Sequence, residues 1–306
     1  MYISVLLSTY NGSKYVLEQL ESLKEQSTPP DEVIIIDDCS KDDTVQICRN
    51  FIEKSNVNDK WKLYVNEENK GWKNNYHYGL KYTKGDYIFF CDQDDIWKKN
   101  KIEDCVNILE KNKNINVLSS LEKDFSEEGI IKDKRKYSGK IEMVKILPNG
   151  RNLKIRTAGC TMVVRKTFVD ETFDYFVESW AHDDMMWKLS ALRGTCALYH
   201  MDTIMHRIHM NNASRQSRRT IERRITDIED TIRNYYQVKK YIKEKCSDLK
   251  KIDKLYSQNI KGMELRKKFL VTGDFFCLIV TLIKYPFVFA SVKQLLGDIF
   301  LVIKRR

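Results

Sequence analysis

No run of about 20 consecutive apolar residues, the length that a membrane-spanning helix needs, occurs in the 306-residue chain. The eight cysteines form no Cys-x-x-Cys pair, and several stand in apolar segments where a free thiol packs as a small hydrophobic group. The N-terminus has no basic segment followed by a long apolar one, as a secretory signal would. These absences exclude a spanning helix and predict reduced cysteines in a protein that stays in the cytoplasm.

The composition is that of a globular protein, with 42% hydrophobic and 31% charged residues. The length suits one domain of roughly 200 residues with an appendage. A net charge of +10, from 53 Lys and Arg residues against 43 Asp and Glu, predicts attraction to phosphate groups. Charge alone does not decide between nucleotides, nucleic acid and an anionic bilayer.

The hydrophobic periodicity alternates between strand and helix over the first two thirds of the chain. It predicts strands at residues 2–8, 32–36, 61–65, 87–91, 161–164 and 196–199. It predicts helices at residues 13–26, 40–54, 74–82 and 183–192, of which the second is capped by Ser40. Such alternation predicts a parallel, doubly wound α/β sheet that ends near residue 215.

Two other regions have a different character. Residues 122–154 are charged and glycine-containing, which is typical of a mobile loop that closes over a ligand. Residues 221–242 have the spacing of a long amphipathic helix that either packs on its own chain or forms a homodimer seam. The apolar stretches after Asp274 have aromatic and basic edges, which fit a helical segment in a membrane interface or, alternatively, a buried helical hairpin.

The run from Gly85 to Trp97 is an apolar strand that ends in three carboxylates. In open α/β sheets, ligands bind beyond the carboxyl ends of the strands. A hard divalent ion takes one or two carboxylates there, with substrate phosphates completing its coordination. Asp94 is predicted to bind the ion directly and Asp92 to contact a ribose or a metal-bound water. Asp95 is predicted to brace the turn or to cap the next helix. The alternative is a solvated acidic turn.

The second predicted strand also ends in carboxylates, at Asp37 and Asp38. A carboxylate in this position can accept the imino N–H of a pyrimidine base. Helix capping by Ser40, with a structural role for one aspartate, is the alternative, and two carboxylates allow both.

A series of motifs resembles, in order, those of family 2 glycosyltransferases, and is most like bacterial rhamnosyltransferases of surface polysaccharide synthesis. It consists of Ser8–Gly12, Asp37–Ser40, Asn69–Gly71, Cys91–Trp97, Thr157–Cys160, His182–Asp183 and Arg207–Asn212. The resemblance implies a GT-A fold with a doubly wound, mixed and mainly parallel sheet over residues 1–215. Residues 216–306 then form a helical C-terminal region with a membrane-associating end.

The same resemblance implies an inverting, metal-dependent transfer of one sugar. The donor is a dTDP- or UDP-linked sugar, with rhamnose from dTDP-rhamnose preferred, and the acceptor is a hydroxyl of a glycan or lipid-linked glycan. The ion is Mn or Mg, and nucleic acid is not a partner. The expected location is the inner face of a bacterial cell membrane.

Individual roles follow by position from the resemblance. Base and ribose contacts are assigned to Thr9, Tyr10, Asn11, Asp38, Gly71 and Asp92. Asp94 and His209 are assigned to the metal, and His209 alternatively to the diphosphate. Asp183 is assigned as the general base. Asp183 and Asp184 would point about 100° apart at a helix start, so only one of them can face the acceptor, and Asp184 is the alternative.

An arginine-rich stretch follows the motif series, at Arg215, Arg218, Arg219, Arg223 and Arg224. It could clamp a diphosphate or meet lipid headgroups, or it could be a solvated helix face. Gln216–Arg219 resembles the QxxRW motif of processive synthases, but Thr220 stands where tryptophan should be. This departure favours single-sugar addition.

Two other classes of function remain open. A haloacid-dehalogenase-type phosphatase would use Asp92 as the nucleophile and Asp183 with Asp184 as metal ligands, but it normally carries its acidic motif on the first strand. A non-catalytic, membrane-docked protein would bind a nucleotide sugar without turning it over.

Overall fold

The computed structural model describes residues 1–131, 135–178, 180–209, 220–285, 287–289 and 291–305. Residues 210–219 lie outside the described residues, and with them the second half of the Arg207–Asn212 motif, the boundary near 215 and three of the five arginines. The chain divides into two compact units, of which the first comprises residues 1–145 and 154–209. The second comprises residues 146–153 and the described part of 210–306.

The first unit is an α/β sandwich. Its strands are β1 Ile3–Thr9, β2 Glu32–Asp37, β3 Trp61–Val65, β4 Tyr87–Asp92, β5 Ile96–Trp97, β6 Val117–Ser126, β7 Gly129–Ile130, β8 Ile141–Val144, β9 Val163–Arg165 and β10 Cys196–Arg207. Its helices are α1 Val16–Lys24, α2 Thr44–Lys54, α3 Trp72–Gly79, α4 Lys101–Lys111, α5 Lys166–Thr172 and α6 His182–Arg193.

The strands form one mixed sheet in the order β3-β2-β1-β4-β9-β6-β10-β5. Strands β1 to β4 run parallel to one another, and β2 is buried along its whole length, as a strand covered on both faces must be. β9 runs antiparallel between β4 and β6, and β10 runs parallel to β6. The expected mixed sheet is confirmed, and it brings the ends of β1, β2 and β4 to one edge.

The expectation of a mobile loop over residues 122–154 is wrong. This segment contains the end of β6, the β6–β7 hairpin and β8, which pairs antiparallel with β10. Its charged character has a local cause, since Arg135 forms ion pairs with Glu122 and Asp124 on β6. Alternate residues of β8 are exposed because it pairs at the edge of the sheet.

Strand β10 is longer than the predicted 196–199. It continues to Arg207 with register shifts between Tyr199 and Ile204, where the apolar pattern is interrupted by polar residues. This extension delivers His206 and Arg207 to the edge of the sheet where β4 ends.

Ser40 does not cap α2, contrary to the prediction. The helix begins at Thr44, with Asp43 at the N-cap position. Ser40 Oγ instead donates to Asp37 Oδ2 at 2.6 Å and accepts from the Asn11 backbone N–H at 2.8 Å. Ser40 therefore ties the loop after β2 to the loop after β1.

The second unit contains long helices, which confirms the expected helical C-terminal region. They are α7 Ile221–Lys245, α8 Lys250–Thr272, α9 Phe275–Lys284 and α10 Val292–Arg305. Ile221 and Ile228 of α7 are buried in one cluster with Phe269 of α8 and Val302 of α10. This packing within the chain favours the first alternative for residues 221–242, and the homodimer seam stays a prediction. Across the described ranges, no helix combines the length and apolar character needed to cross a bilayer.

Candidate active site

The loops after β1 and β4 are joined at the edge of the sheet. The Tyr10 N–H donates to Gln93 Oε1 at 2.8 Å, and Gln93 Nε2 donates to the Tyr10 carbonyl at 2.9 Å. A Cβ at Gly12 would overlap the end of the Gln93 side chain, so a larger residue there would displace this bridge. Asn11 Oδ1 accepts from the Lys41 N–H at 2.8 Å, which adds the loop after β2. Tyr10 and Asn11, which are predicted to bind the nucleotide-sugar, therefore lie in loops that hydrogen bonds hold together.

The two carboxylates after β2 have separate roles. Asp37 accepts from Thr9 Oγ1 at 2.7 Å and from Ser40, so it organises the loop ends. Asp38 is buried and accepts from the backbone N–H groups of Lys70 and Gly71, each at 2.8 Å. Gly71 has φ +80°, a left-handed conformation that favours glycine. Thr9, Asp38 and Gly71 are thus brought together, and their contacts with a base stay predictions.

The acidic turn after β4 consists of residues Asp92–Asp95, and hydrogen bonds from other elements hold two of its carboxylates. Asp92 Oδ1 accepts from Tyr76 OH at 2.5 Å, and Asp95 Oδ1 accepts from the Arg207 N–H at 3.0 Å. Asp95 Oδ2 is buried with no hydrogen-bond partner among the described residues. Ligand atoms of Asp92, Asp95 and Cys160 all lie within 4.8 Å of one another.

This turn carries an excess of negative charge. Burial, and then the charges of Asp94 and Asp92, raise the pKa of Asp95 to about 7. Burial and the Asp94 charge also raise the pKa of Asp92. Although burial opposes it, the carboxylates of Asp95 and Asp124 raise the pKa of His206. These shifts show that a bound cation would stabilise the ionised turn.

The donor atoms at the turn fit a divalent ion. Asp94 Oδ2 and His209 Nε2 are 2.7 Å apart, and each side chain is 17% exposed. A carboxylate oxygen and an imidazole nitrogen suit Mn, and the nearby Asp95 Oδ2, which has no hydrogen-bond partner in the described part of the chain, is a further oxygen that a cation could engage. Cys160 is a poorer ligand, because burial raises the pKa of its thiol well above the ordinary value and keeps it protonated. Asp94 and His209, the predicted metal residues, are therefore brought together.

Asp183 and Asp184 stand at the start of α6, but their surroundings differ. Asp184 accepts from Trp180 Nε1 at 2.9 Å and forms an ion pair with Lys188. Asp183 Oδ1 accepts from the Asp184 N–H at 2.7 Å. A Cβ added at Gly159 would come within 3.0 Å of Asp183 Oδ2, so the glycine of the Thr157–Cys160 motif makes room for this carboxylate. The contacts of Asp184 favour Asp183 as the base.

A row of aromatic contacts links Asp183 to the acidic turn. The His182 ring lies 4.0 Å from the Tyr76 ring and 4.3 Å from the Phe90 ring, measured between centroids. Burial lowers the pKa of His182 to about 3, so its ring is neutral. Burial, and then the charges of Asp184 and Asp92, raise the pKa of Asp183 to about 6. A carboxylate with a raised pKa is a stronger proton acceptor than an ordinary aspartate.

Sequence reasoning gave no role to Tyr76, His206 or Lys101. Lys101 is buried, donates to the Cys160 carbonyl at 3.1 Å and lies 4.6 Å from the Trp97 ring centroid. No sequence motif marks these residues, because the partners of their side chains belong to other segments of the chain: Asp92 for Tyr76, Asp124 for His206 and Cys160 for Lys101. Arg207 does belong to a motif, and it braces the acidic turn: its guanidinium donates to the Asp94 carbonyl at 2.9 Å and to Glu18 at 2.8 Å.

Comparison with known proteins gives a family match. The family described as "Glycosyl transferase family 2" matches residues 4–173. An uncharacterized glycosyltransferase of Rickettsia typhi is 29% identical over 192 residues, which cover 60% of this chain and 57% of the relative. The chain thus spans little more than half the length of that relative.

The protein TarS of Staphylococcus aureus is similar in both sequence and structure. TarS, described as a poly(ribitol-phosphate) beta-N-acetylglucosaminyltransferase, is 34% identical over 113 residues, or 36% of this chain and 19% of TarS. The crystal structure of TarS residues 1–349 with UDP-GlcNAc superposes with a TM-score of 0.62 at 18% identity, covering 96% of this chain and 92% of that one.

An archaeal structure shares the same fold. The mannosyltransferase PcManGT of Pyrobaculum calidifontis, in complex with GDP-Man and Mn2+, gives a TM-score of 0.55 at 13% identity, covering 98% of this chain and 84% of that one. The expected GT-A fold is confirmed by these structural likenesses.

Proposed function

Because this chain belongs to glycosyl transferase family 2, we propose that it transfers one sugar from a pyrimidine nucleotide-diphospho-sugar to an acceptor hydroxyl, with inversion and with a divalent ion. The acceptor is a glycan or lipid-linked glycan of cell-surface polysaccharide synthesis. TarS, which is named as a poly(ribitol-phosphate) transferase, supports a polymeric acceptor with hydroxyl groups.

The surroundings of Asp183 carry this proposal. It is a partly buried carboxylate whose pKa is raised, and it stands beside Gly159 within the field of Asp92. Asp184, its neighbour, is held by Trp180 and Lys188. A general base needs this combination of proton affinity and an unobstructed oxygen.

The donor would lie along the braced loops after β1, β2 and β4. Asp38 would accept the base imino N–H with Oδ2, which within the described part of the chain accepts a single hydrogen bond, from Gly71. Asp92, oriented by Tyr76, would meet the ribose. Asp94 and His209 would hold Mn or Mg, which supplies positive charge to the leaving diphosphate.

The reaction is a single displacement in which Asp183 accepts the proton of the acceptor hydroxyl. The acceptor oxygen forms a bond to the anomeric carbon on the face opposite the diphosphate. The bond from that carbon to the diphosphate oxygen breaks, and the nucleoside diphosphate leaves with the electron pair. One displacement inverts the anomeric configuration.

The donor sugar is the finer part of the proposal. The motif resemblance favours dTDP-rhamnose, whereas the TarS crystal structure contains UDP-GlcNAc. Both carry a pyrimidine with an imino N–H, so Asp38 would serve either donor. Pocket contacts with the sugar decide between them.

Family membership decides against the phosphatase and the non-catalytic alternatives. The phosphatase would place its nucleophile after the first strand, whereas Asp92 ends β4 and its Oδ1 accepts from Tyr76 OH.

The proposal is tested by nucleoside diphosphate release from a panel of UDP-, dTDP-, GDP- and ADP-sugars with Mn and a glycan acceptor mixture. We expect acceptor-dependent release from a UDP- or dTDP-sugar. The acceptor-free reaction is the control for hydrolysis. Release from purine donors alone would overturn the assignment of Asp38.

The pH profile should show the raised pKa of Asp183. The base must be ionised to accept a proton, so kcat/KM should fall as the pH drops below about 6. The Asp184→Asn variant should move this acid limb to lower pH, because the Asp184 charge helps to raise the pKa of Asp183. Measuring kcat/KM from pH 5 to 8 for both proteins checks this prediction. If the acid limb of the profile does not move in the variant, the limb belongs to a group other than Asp183.

A further inference from the structure

The outer faces of α9 and α10 form an exposed apolar surface on the second unit. Six of its side chains each expose more than half of their surface. They are Phe276, Ile279 and Ile283 on α9, and Leu296, Phe300 and Ile303 on α10. Their spacings of three and four residues place each trio on one helix face.

The opposite faces of the same helices are already buried. Cys277 and Leu278 of α9 and Val302 of α10 belong to the apolar cluster of this unit. Each helix is therefore apolar on both sides, although only one side packs against the rest of the unit. Large apolar side chains left exposed in such numbers on two amphipathic helices indicate an interaction site.

The charges on this segment are of one sign at the surface. Lys284, Lys293, Lys304 and Arg305 are exposed, and Asp298 is the one acidic residue in the sequence between 275 and 305. Asp298 is buried and ion-paired with Arg224 and with Arg266, whose Nε lies 2.7 Å from Asp298 Oδ2. The exposed surface thus combines apolar side chains with cations whose charge no acid on the two helices offsets.

We propose that the outer faces of α9 and α10 bind the surface of an anionic lipid bilayer, with the apolar side chains in the interface and the cations among the headgroups. Anionic headgroups complement this combination of groups. A second copy of the same surface does not complement it, because a twofold contact would bring the four cations of one copy against the four cations of the other. Charge complementarity therefore selects the bilayer as the occupant.

The test is co-sedimentation of the full chain with vesicles of phosphatidylglycerol and phosphatidylcholine, compared with vesicles of phosphatidylcholine alone. We expect binding to the anionic vesicles. The Ile283→Glu/Phe300→Glu variant should reduce it about tenfold or more, and Lys284→Glu/Lys293→Glu should reduce the preference for anionic lipid.

The matched control is Tyr236→Glu, which places the same charge on an exposed aromatic position of α7 and should leave vesicle binding unchanged. Equal binding by the wild type and both double variants, or no binding by the wild type, would overturn the proposal. A wild-type dimer that becomes monomeric in Ile283→Glu/Phe300→Glu, without vesicle binding, would assign the surface to a second copy instead.

Vesicle binding requires neither donor nor acceptor. Acceptor-dependent diphosphate release, measured on the same preparations with a water-soluble acceptor, should be unchanged in these variants. A failure of the bilayer proposal is thereby distinguished from a failure of the transferase proposal.

Discussion

Asp183→Asn should lower kcat by ~10²–10⁴-fold, the usual contribution of a general base, while donor affinity stays close to that of the wild type. Asparagine cannot accept a proton, but its Oδ1 can still accept the Asp184 N–H that the carboxylate accepts at 2.7 Å. The start of α6 is therefore preserved. Turnover with saturating acceptor and donor affinity by calorimetry together check this prediction.

Asp184→Asn is the matched control, since the change is the same on the adjacent residue. Its side chain is engaged by Trp180 and Lys188, and we expect it to retain most turnover at pH 8. If Asp184→Asn were inactive and Asp183→Asn active, the base would be Asp184.

Asp94→Ala should abolish the stabilisation that a donor analogue and Mn together confer on the wild type. A ligand at about 100 times its Kd stabilises the folded state by about 2.7 kcal/mol, which raises the melting temperature by several degrees. The variant lacks the carboxylate paired with His209, so the diphosphate loses the cation that this pair would hold. Melting temperatures with UDP or dTDP, with and without Mn, measure the effect.

Asp59→Ala, at an exposed turn before β3 and so at the opposite edge of the parallel strands, is the control and should keep the full shift. His209→Ala should reduce the shift, because one of the two ligands remains. A shift that survives in Asp94→Ala and needs Mn would move the metal to Asp92 and Asp95. A melting-temperature shift that does not need Mn would show that donor binding does not depend on a metal.

The N-terminal half of the fold could be predicted because its pattern is local. Strands such as β2 are continuous apolar runs, and the helices between them have clear periodicity. The second half depends on pairing between distant segments. The charges at Glu122 and Asp124 suggested a loop, but Arg135 pairs with both and β8 covers an edge of β10. Long-range pairing of this kind leaves no periodic signal in the sequence.

The candidate site divides in a similar way. The acidic residues Asp92, Asp94 and Asp95 could be found because carboxylates at a strand end are visible in the sequence. The groups around them could not: Tyr76, which orients Asp92, comes from α3. His206, whose charge acts on Asp92 and Asp95, comes from the end of β10, far along the chain. The choice between Asp183 and Asp184 likewise needed the contacts of Trp180 and Lys188.

The central claim is acceptor-dependent transfer of a sugar from a nucleotide diphosphate. It is tested most directly by mass spectrometry of the acceptor, combined with the count of nucleoside diphosphate released by the wild type and Asp183→Asn. The account predicts one added sugar for each diphosphate released by the wild type, and almost none of either product from the variant. Diphosphate release without a glycosylated acceptor, or equal transfer by both proteins, would contradict it.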